Sequence, residues 1–219
     1  RTPLNGILGF AQLLQMQGAD NLRMDQRNKL GYIETAGNSL LRLINEVLEI
    51  SRIESGLMHV DMADVCLNDV VDAAVMLSHP LALKRGVDVV LQMPQRLWVH
   101  ADVHRLQEVL LNLLTNAIKY GREAGKVWVR SGVRGGQVCL SVQDQGPGID
   151  PAHAQDVFSA FFSTKSDGMG MGLAICRSVV EQAHGKLWHS PRTDGQAGCM
   201  FVVELPACTT PNGLENEQE

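Results

Sequence analysis

The sequence predicts a helical hairpin followed by an α+β sandwich, with helices on one face of a mixed sheet. Three observations lead there. Apolar residues in the first 55 or so positions recur in alternating steps of three and four, the spacing of a heptad seam. That pattern stops at Ser55-Gly56, where short β-branched runs begin to separate the helical stretches. Those strands and helices do not alternate strictly, which favours helices gathered on one side of a sheet over a βαβ array.

Taken in order, Leu4, Ile7, Ala11 and Leu14 mark a first helix, and Gly18-Ala19-Asp20-Asn21 reads as a turn. Leu30, Ile33, Gly37, Leu40, Ile44, Val47 and Ser51 trace the second helix. Two antiparallel helices with one apolar stripe each cannot bury both stripes alone. Pairing with a second copy into a dimeric four-helix bundle is the economical arrangement; a hairpin lying on the following domain is the alternative. Val60–Met62 then reads as a short strand, and Leu67 to about Lys84 as a helix burying Leu67, Val70, Val71, Ala74 and Leu77. Val87–Leu91 and Leu97–His100 read as strands, and Asp102 stands where it caps a long helix running to about Tyr120. Val127–Ser131 and Gln137–Val142 form a hairpin around Arg134-Gly135-Gly136. A helix from about Met171 to Ala183 and strands near Lys186–Ser190 and Cys199–Leu205 complete the set. From Ala207 the chain is polar, acidic and aperiodic, the composition of a disordered tail. The expected division is therefore 1–56, 57–206 and 207–219.

The 219 residues are 45% apolar and 20% charged, the composition of an ordinary globular protein. A net charge of -5 argues against nucleic acid as a partner. No apolar run reaches the ~18–20 residues of a membrane span, and no signal-peptide pattern is present, so a cytoplasmic location is expected. Five scattered cysteines, odd in number and never in a CxxC pair, read as free thiols in a reducing compartment. The start at Arg1-Thr2-Pro3, without an initiator methionine, suggests a piece of something longer.

Three stretches carry chemistry. In the helix after Asp102, Glu108, Asn112, Asn116 and Lys119 fall on one narrow polar line of an otherwise apolar cylinder. Asparagine is a poor helix former, and its amide oxygen is a neutral ligand suited to Mg²⁺ already shared with phosphates. A lysine one turn on can reach a phosphate as a point charge. An ordinary solvated helix face is the competing interpretation. Next, "DQGPGID" (144–150) follows a strand, so Asp144 is placed to accept from an exocyclic amine such as that of adenine. A plain turn would use the same residue types. Finally, "FFSTKSDGMGMGL" (161–173) leads three alternating glycines into a helix N-terminus, where unpaired amides and the helix dipole favour an anion. Ser163, Thr164 and Lys165 would form a movable cover over phosphates; a flexible surface loop is the simpler alternative. It is not a P-loop, since no GxxxxGK(S/T) occurs.

In this order the three stretches resemble the Bergerat (GHKL) type of ATP-binding domain found in gyrase and the sensor histidine kinases. "RTPLNGILGFAQLL" at the N-terminus is similar to the segment that follows the phosphoacceptor in histidine kinases, within His-Glu-Leu-Arg-Thr-Pro-Leu, and "SRIESG" (51–56) resembles the end of their dimerisation hairpin. The resemblance covers about residues 1–206. It implies a two-component sensor histidine kinase core that binds ATP and Mg²⁺ and transfers the γ-phosphoryl first to a histidine, then to a receiver-domain aspartate of a response regulator. Asn112 would bind the metal. Asn116 and Lys119 would lie near the phosphates, Tyr120 beside the nucleotide, and Glu108 at the position that orients the nucleophile. Asp144 would bind adenine, with Gly146 and Gly148 shaping its pocket. Phe158, Phe161 and Phe162 match the aromatic hinge of the ATP lid, and Gly168, Gly170 and Gly172 its closing glycines. Thr164 and Lys165 lie on that lid, Lys165 against the γ-phosphate. Thr2 matches a position that assists dephosphorylation of the partner regulator. The implied partners are a second copy through the hairpin, a receiver domain and an upstream sensor domain.

One departure matters. The phosphoacceptor histidine would lie three residues before Arg1, and the seven histidines at 59, 79, 100, 104, 153, 184 and 189 lack its flanks. Two other readings stay open: a Bergerat-type ATPase whose conformational cycle is its output, and a pseudokinase acting as a partner-binding module.

Overall fold

The computed structural model describes residues 2–17, 22–54, 60–163, 170–192 and 194–208, in two compact units, Arg1–Met58 and His59–Glu219. The first unit pairs helix α1 (Thr2–Gln17) with helix α2 (Met24–Glu54). The expected turn at 18–21 lies outside the described residues, as does the Ser55-Gly56 break.

The single heptad stripe of α2 is two lines. Leu30, Gly37 and Ile44, seven apart, are buried or half-buried. A Cβ on Gly37 would lie 2.6 Å from Leu8 Cδ2, so the Leu8 side chain is seated directly on this glycine. The other line, Ile33, Leu40 and Val47, is exposed at 45%, 47% and 45%. Helix α1 divides the same way. Leu8 and Ala11 are buried, whereas Ile7 and Leu14, expected on the seam, are exposed.

The second unit opens with strand β1 (Ala63–Cys66), not at Val60–Met62. The Asp61 N–H is taken by the Asp102 carboxylate at 3.0 Å, and ladder pairing begins only at Ala63, opposite Ala101. Helix α3 (Leu67–Arg85) follows directly. Its buried line is Leu67, Val70, Val71, Ala74, Ser78 and Ala82, so Leu77, expected inside, points out. Strand β2 (Asp88–Gln92) and strand β3 (Trp98–Ala101) precede helix α4 (Val103–Tyr120). Asp102 caps α4: its Oδ1 accepts from the His104 and Arg105 amides at 2.9 and 3.1 Å. Strand β4 (Lys126–Arg134) turns through Gly135 and Gly136, both at positive φ, into strand β5 (Gln137–Gln143). Two short 3-10 turns, Pro151–His153 and Asp156–Phe158, lead towards helix α5 (Gly172–Gln182). Strand β6 (Lys186–Pro191) and strand β7 (Cys199–Pro206) close the fold.

The main sheet has the order β2-β4-β5-β7-β6, with β2 and β4 parallel and the other pairs antiparallel; β1 and β3 form a separate antiparallel pair. The core lies between this sheet and α3, α4 and α5. Leu110, Leu113, Leu114 and Ile118 of α4 are fully buried, as are Val127 and Val129 of β4 and Leu140 of β5. The backbone stays paired past β7, where an end was expected: Ala207 bridges to Val99, and the Cys208 N–H donates to the Trp98 carbonyl at 3.0 Å. Residues 209–219 of the expected tail lie outside the described residues.

Candidate functional site

The site is built around α4, because its seven buried residues fix its rotation against the sheet and leave one polar line facing outward. On that line Asn112 and Asn116 are half-buried, and the Asn116 Nδ2 donates to Asn112 Oδ1 at 2.8 Å. Glu108 is exposed, and its carboxylate receives Arg105 at 2.8 Å rather than joining the asparagine pair. Lys119 and Tyr120 are exposed at the end of the helix.

The asparagine pair meets the start of α5. A Cβ on Gly172 would stand 2.3 Å from Asn112 Nδ2, so the absence of a side chain at the start of α5 is what leaves room for the Asn112 amide in this orientation. Met171, just before it, is buried. Gly170 has φ +70°, and a Cβ there would fall 2.2 Å from the Phe162 carbonyl oxygen. Phe162 and Gly170 are therefore in contact, and the expected lid leaves and rejoins the domain at one place. Thr164, Lys165, Gly168 and the side chain of Thr2 lie outside the described residues.

The aromatic hinge differs from expectation. Phe161 adopts φ +66° and is exposed at 66%, so among the described residues its ring is not part of the core. Phe162 packs against His153, ring centroids 5.3 Å apart. Phe158 is the buried member, stacked on His189, edge-on to Phe201 and covered by the Arg177 guanidinium at 4.2 Å.

Asp144 ends the β5 segment at the C-terminal end of α4. Its amide donates to the Cys199 carbonyl at 2.9 Å, and its Oδ1 accepts from the Gly146 and Cys199 amides at 2.7 and 3.2 Å. Its Oδ2 has no hydrogen-bond partner among the described residues and remains available as an acceptor. Burial raises the carboxyl pKa, opposed by the two amides and by the positive charge of Arg192. Burial and the Asp144 charge together push the Cys199 thiol up to about 12, so it stays protonated. Gly146 seats on the Tyr120 carbonyl, where a Cβ would come within 2.4 Å, and Gly148 has φ +83° against Gly198. The structure thus joins Asp144, Gly146 and the end of α4 at one end of the helix, and Asn112, Asn116 and Gly172 about two turns earlier.

Sequence reading missed Arg192. It is buried, its guanidinium lies 5.2 Å from the Trp128 ring centre, and it donates to the Asp144 carbonyl at 3.4 Å and to the Asp194 carboxylate. Nothing in "PRTDGQAGC" signals this, because the contact to Asp144 spans 48 residues.

Residues 101–209 match the family described as histidine kinase-, DNA gyrase B- and HSP90-like ATPase, and residues 1–56 match the His Kinase A (phospho-acceptor) domain. The non-motile and phage-resistance protein of Caulobacter vibrioides is 38% identical over 209 residues, 89% of this chain and 25% of that protein. The chain spans about a quarter of the length of the curated relatives it matches. Full-length ShkA, solved in complex with AMPPNP, superposes with a TM-score of 0.81 at 32% identity, over 95% of this chain and 44% of that one. The isolated catalytic domain of the histidine kinase ThkA gives 0.61 at 33% identity, over 67% of this chain and 95% of that one. ThkA in complex with the response regulator TrrA gives 0.69 at 28% identity, over 94% and 59%. No helix among the described residues is long and apolar enough to cross a membrane. A phospho-acceptor hairpin joined to a Bergerat-type ATPase domain, in that order and with these likenesses, places the chain in the sensor histidine kinase family, as a catalytic core.

Proposed function

We propose that the chain binds Mg-ATP at α4, Asp144 and the start of α5, and drives phosphoryl transfer from ATP to a histidine and then to a receiver aspartate. The observation that carries this is the seating of the Asn112 amide against Gly172, 2.3 Å from where a Cβ would stand. It brings a neutral oxygen donor to the N-terminus of a helix, where amides and dipole favour phosphate. Asn112 Oδ1 accepts one bond from Asn116 and has a second lone pair, so the donor set fits a Mg²⁺ ion that shares its charge with nucleotide phosphates. When bound, that ion neutralises charge on the transferring phosphoryl group. Asn116 and Lys119 flank the phosphates, Tyr120 lies beside the nucleotide, and Asp144 Oδ2 accepts from the adenine amino group within the wall formed by Gly146 and Gly148. Thr164, Lys165, Gly168 and Gly170 belong to the lid, and Glu108 orients the nucleophile. Thr2 assists removal of phosphate from the regulator.

The acceptor is a histidine three residues before Arg1 in the family motif. The exposed lines on α1 and α2 are covered by a second copy, as in a four-helix bundle. The structure of ThkA with TrrA supports a receiver domain as the second partner. A sensor domain upstream completes the proposed partners, and 1–56, 57–206 and 207–219 are the proposed divisions. The test is to extend the chain by His-Glu-Leu and incubate both forms with γ-labelled ATP. Label stable to base and lost in acid, on the extended form alone, is expected. Nucleotide binding without label on the extended form would overturn phosphotransfer.

A further inference from the structure

Among the described residues only two charged side chains are buried, Asp144 and Arg192, and they are neighbours. Arg192 meets Asp144 at its main-chain carbonyl. One terminal nitrogen donates to the Asp144 carbonyl, the other two guanidinium nitrogens hold Asp194, and its stem packs against Gly198, where a Cβ would lie 2.4 Å from Arg192 Cδ. Asp194 in turn accepts from the Gln196 amide, so the loop between β6 and β7 is tied around this one guanidinium. A buried arginine needs such anchoring, and a buried carboxylate needs a positive charge nearby if it is to stay ionised.

We infer that Arg192 is a positioning residue for base selectivity: bonded to the Asp144 main chain, it holds its positive charge beside the carboxylate and favours the ionised form, while the Gly146 and Cys199 amides hold the direction of that carboxylate. This rests on the reading of Asp144 as the adenine acceptor. Because Oδ1 is already occupied by two amides, a proton arriving on this carboxyl goes to Oδ2. There it presents a donor to the adenine amino group, which is also a donor. Hypoxanthine carries a carbonyl at the same ring position and would accept from that proton. Ionised Asp144 therefore selects adenine, and protonated Asp144 loses the selection. The other groups around this carboxyl do not supply the positive charge. Cys199 is a neutral thiol, Tyr120 contributes its carbonyl to Gly146, and Arg130 is committed to Gln143 and Gln92. Burial raises the pKa of Asp144 while Arg192 opposes that rise, in the direction the inference needs.

The experiment measures calorimetric affinities of ADP and IDP on this chain from about pH 5 to about pH 9, where the ratio of the two cancels titration of the shared phosphates. The wild type is expected to prefer ADP and to lose that preference on the acid side. In Arg192→Met the loss should occur about one pH unit higher, the size of effect one nearby opposite charge exerts. Arg192→Lys should keep the wild-type midpoint. Preference lost equally at every pH, or an unmoved midpoint in Arg192→Met, overturns the inference. If Arg192→Met does not fold, Asp194→Asn replaces it: with its counter-charge gone, Arg192 should move the midpoint to lower pH, and no movement overturns the inference. A wild type without ADP preference at any pH, matched by an indifferent Asp144→Asn, removes the adenine assignment itself and the inference with it.

Discussion

Gly172 makes room for the Asn112 amide with a missing carbon. Alanine there would place a methyl 2.3 Å from Asn112 Nδ2, and the amide, being the end of a side chain, would swing away. Helix propensity favours alanine by about 1 kcal/mol, which offsets part of the crowding, so the melting temperature should change little. Nucleotide binding should weaken about tenfold, a loss of roughly 1.4 kcal/mol, and most of it should vanish when magnesium is chelated. Calorimetry with ADP, with and without Mg²⁺, checks this; an unchanged magnesium dependence would separate Asn112 from the metal. The residues whose placement was legible in the sequence were those set by local spacing: Asn112 and Asn116 on one line of α4, and Asp144 just past β5. Arg192 was not legible, because its contact is with a residue 48 positions away. Phe161 and Phe158 show the same limit. Three aromatics look alike in a string, and packing alone decides that Phe158 is buried while Phe161 faces solvent.

At the scale of elements, α4 depends on its first turn. Asp102 accepts from His104 and Arg105 and, through its other oxygen, from Asp61, so one carboxylate caps the helix and fixes the segment before β1. Asp102→Ala should cost about 1–2 kcal/mol in urea denaturation, the usual range for losing a cap. Burial alone would raise the pKa of this carboxyl, but the three amides hold it below its ordinary value. Its contribution is therefore present above the unfolded-state pKa and is lost as pH falls through the folded-state pKa. The stability gap between wild type and variant should shrink as pH drops from 7 towards about 3, and a constant gap would contradict the assignment. The long periodic elements α3, α4, β5 and β7 could be read from sequence because burial imposes a period. The position of β1 could not, because Val60–Met62 has the alternation of a strand while its backbone is bound to a side chain 41 residues on.

At the scale of the molecule, the double line on α2 bears on assembly. Ile33, Leu40 and Val47 are exposed at equal spacing along a helix whose other line is already packed on α1. Leu40→Glu should convert a dimer to monomers in sedimentation velocity, and a single species of unchanged mass would show that another surface holds the copies. The melting temperature of the wild type should rise with protein concentration, as expected when folding and association are linked. The sequence disclosed the stripe but not its division into two lines, since steps of three and four look the same whichever helix they meet.

The contact between Phe162 and Gly170 has a consequence for how this domain tolerates change. Two ends fixed beside each other make the interval between Ser163 and Gly170 a graft point, and doubling the length of such a loop costs only about 0.6 kcal/mol in closure entropy. Insertions there leave the sheet, α4 and the Asp144 carboxylate untouched. The length and sequence of this interval can therefore diversify independently of the sheet and of the packing of α4 and α5.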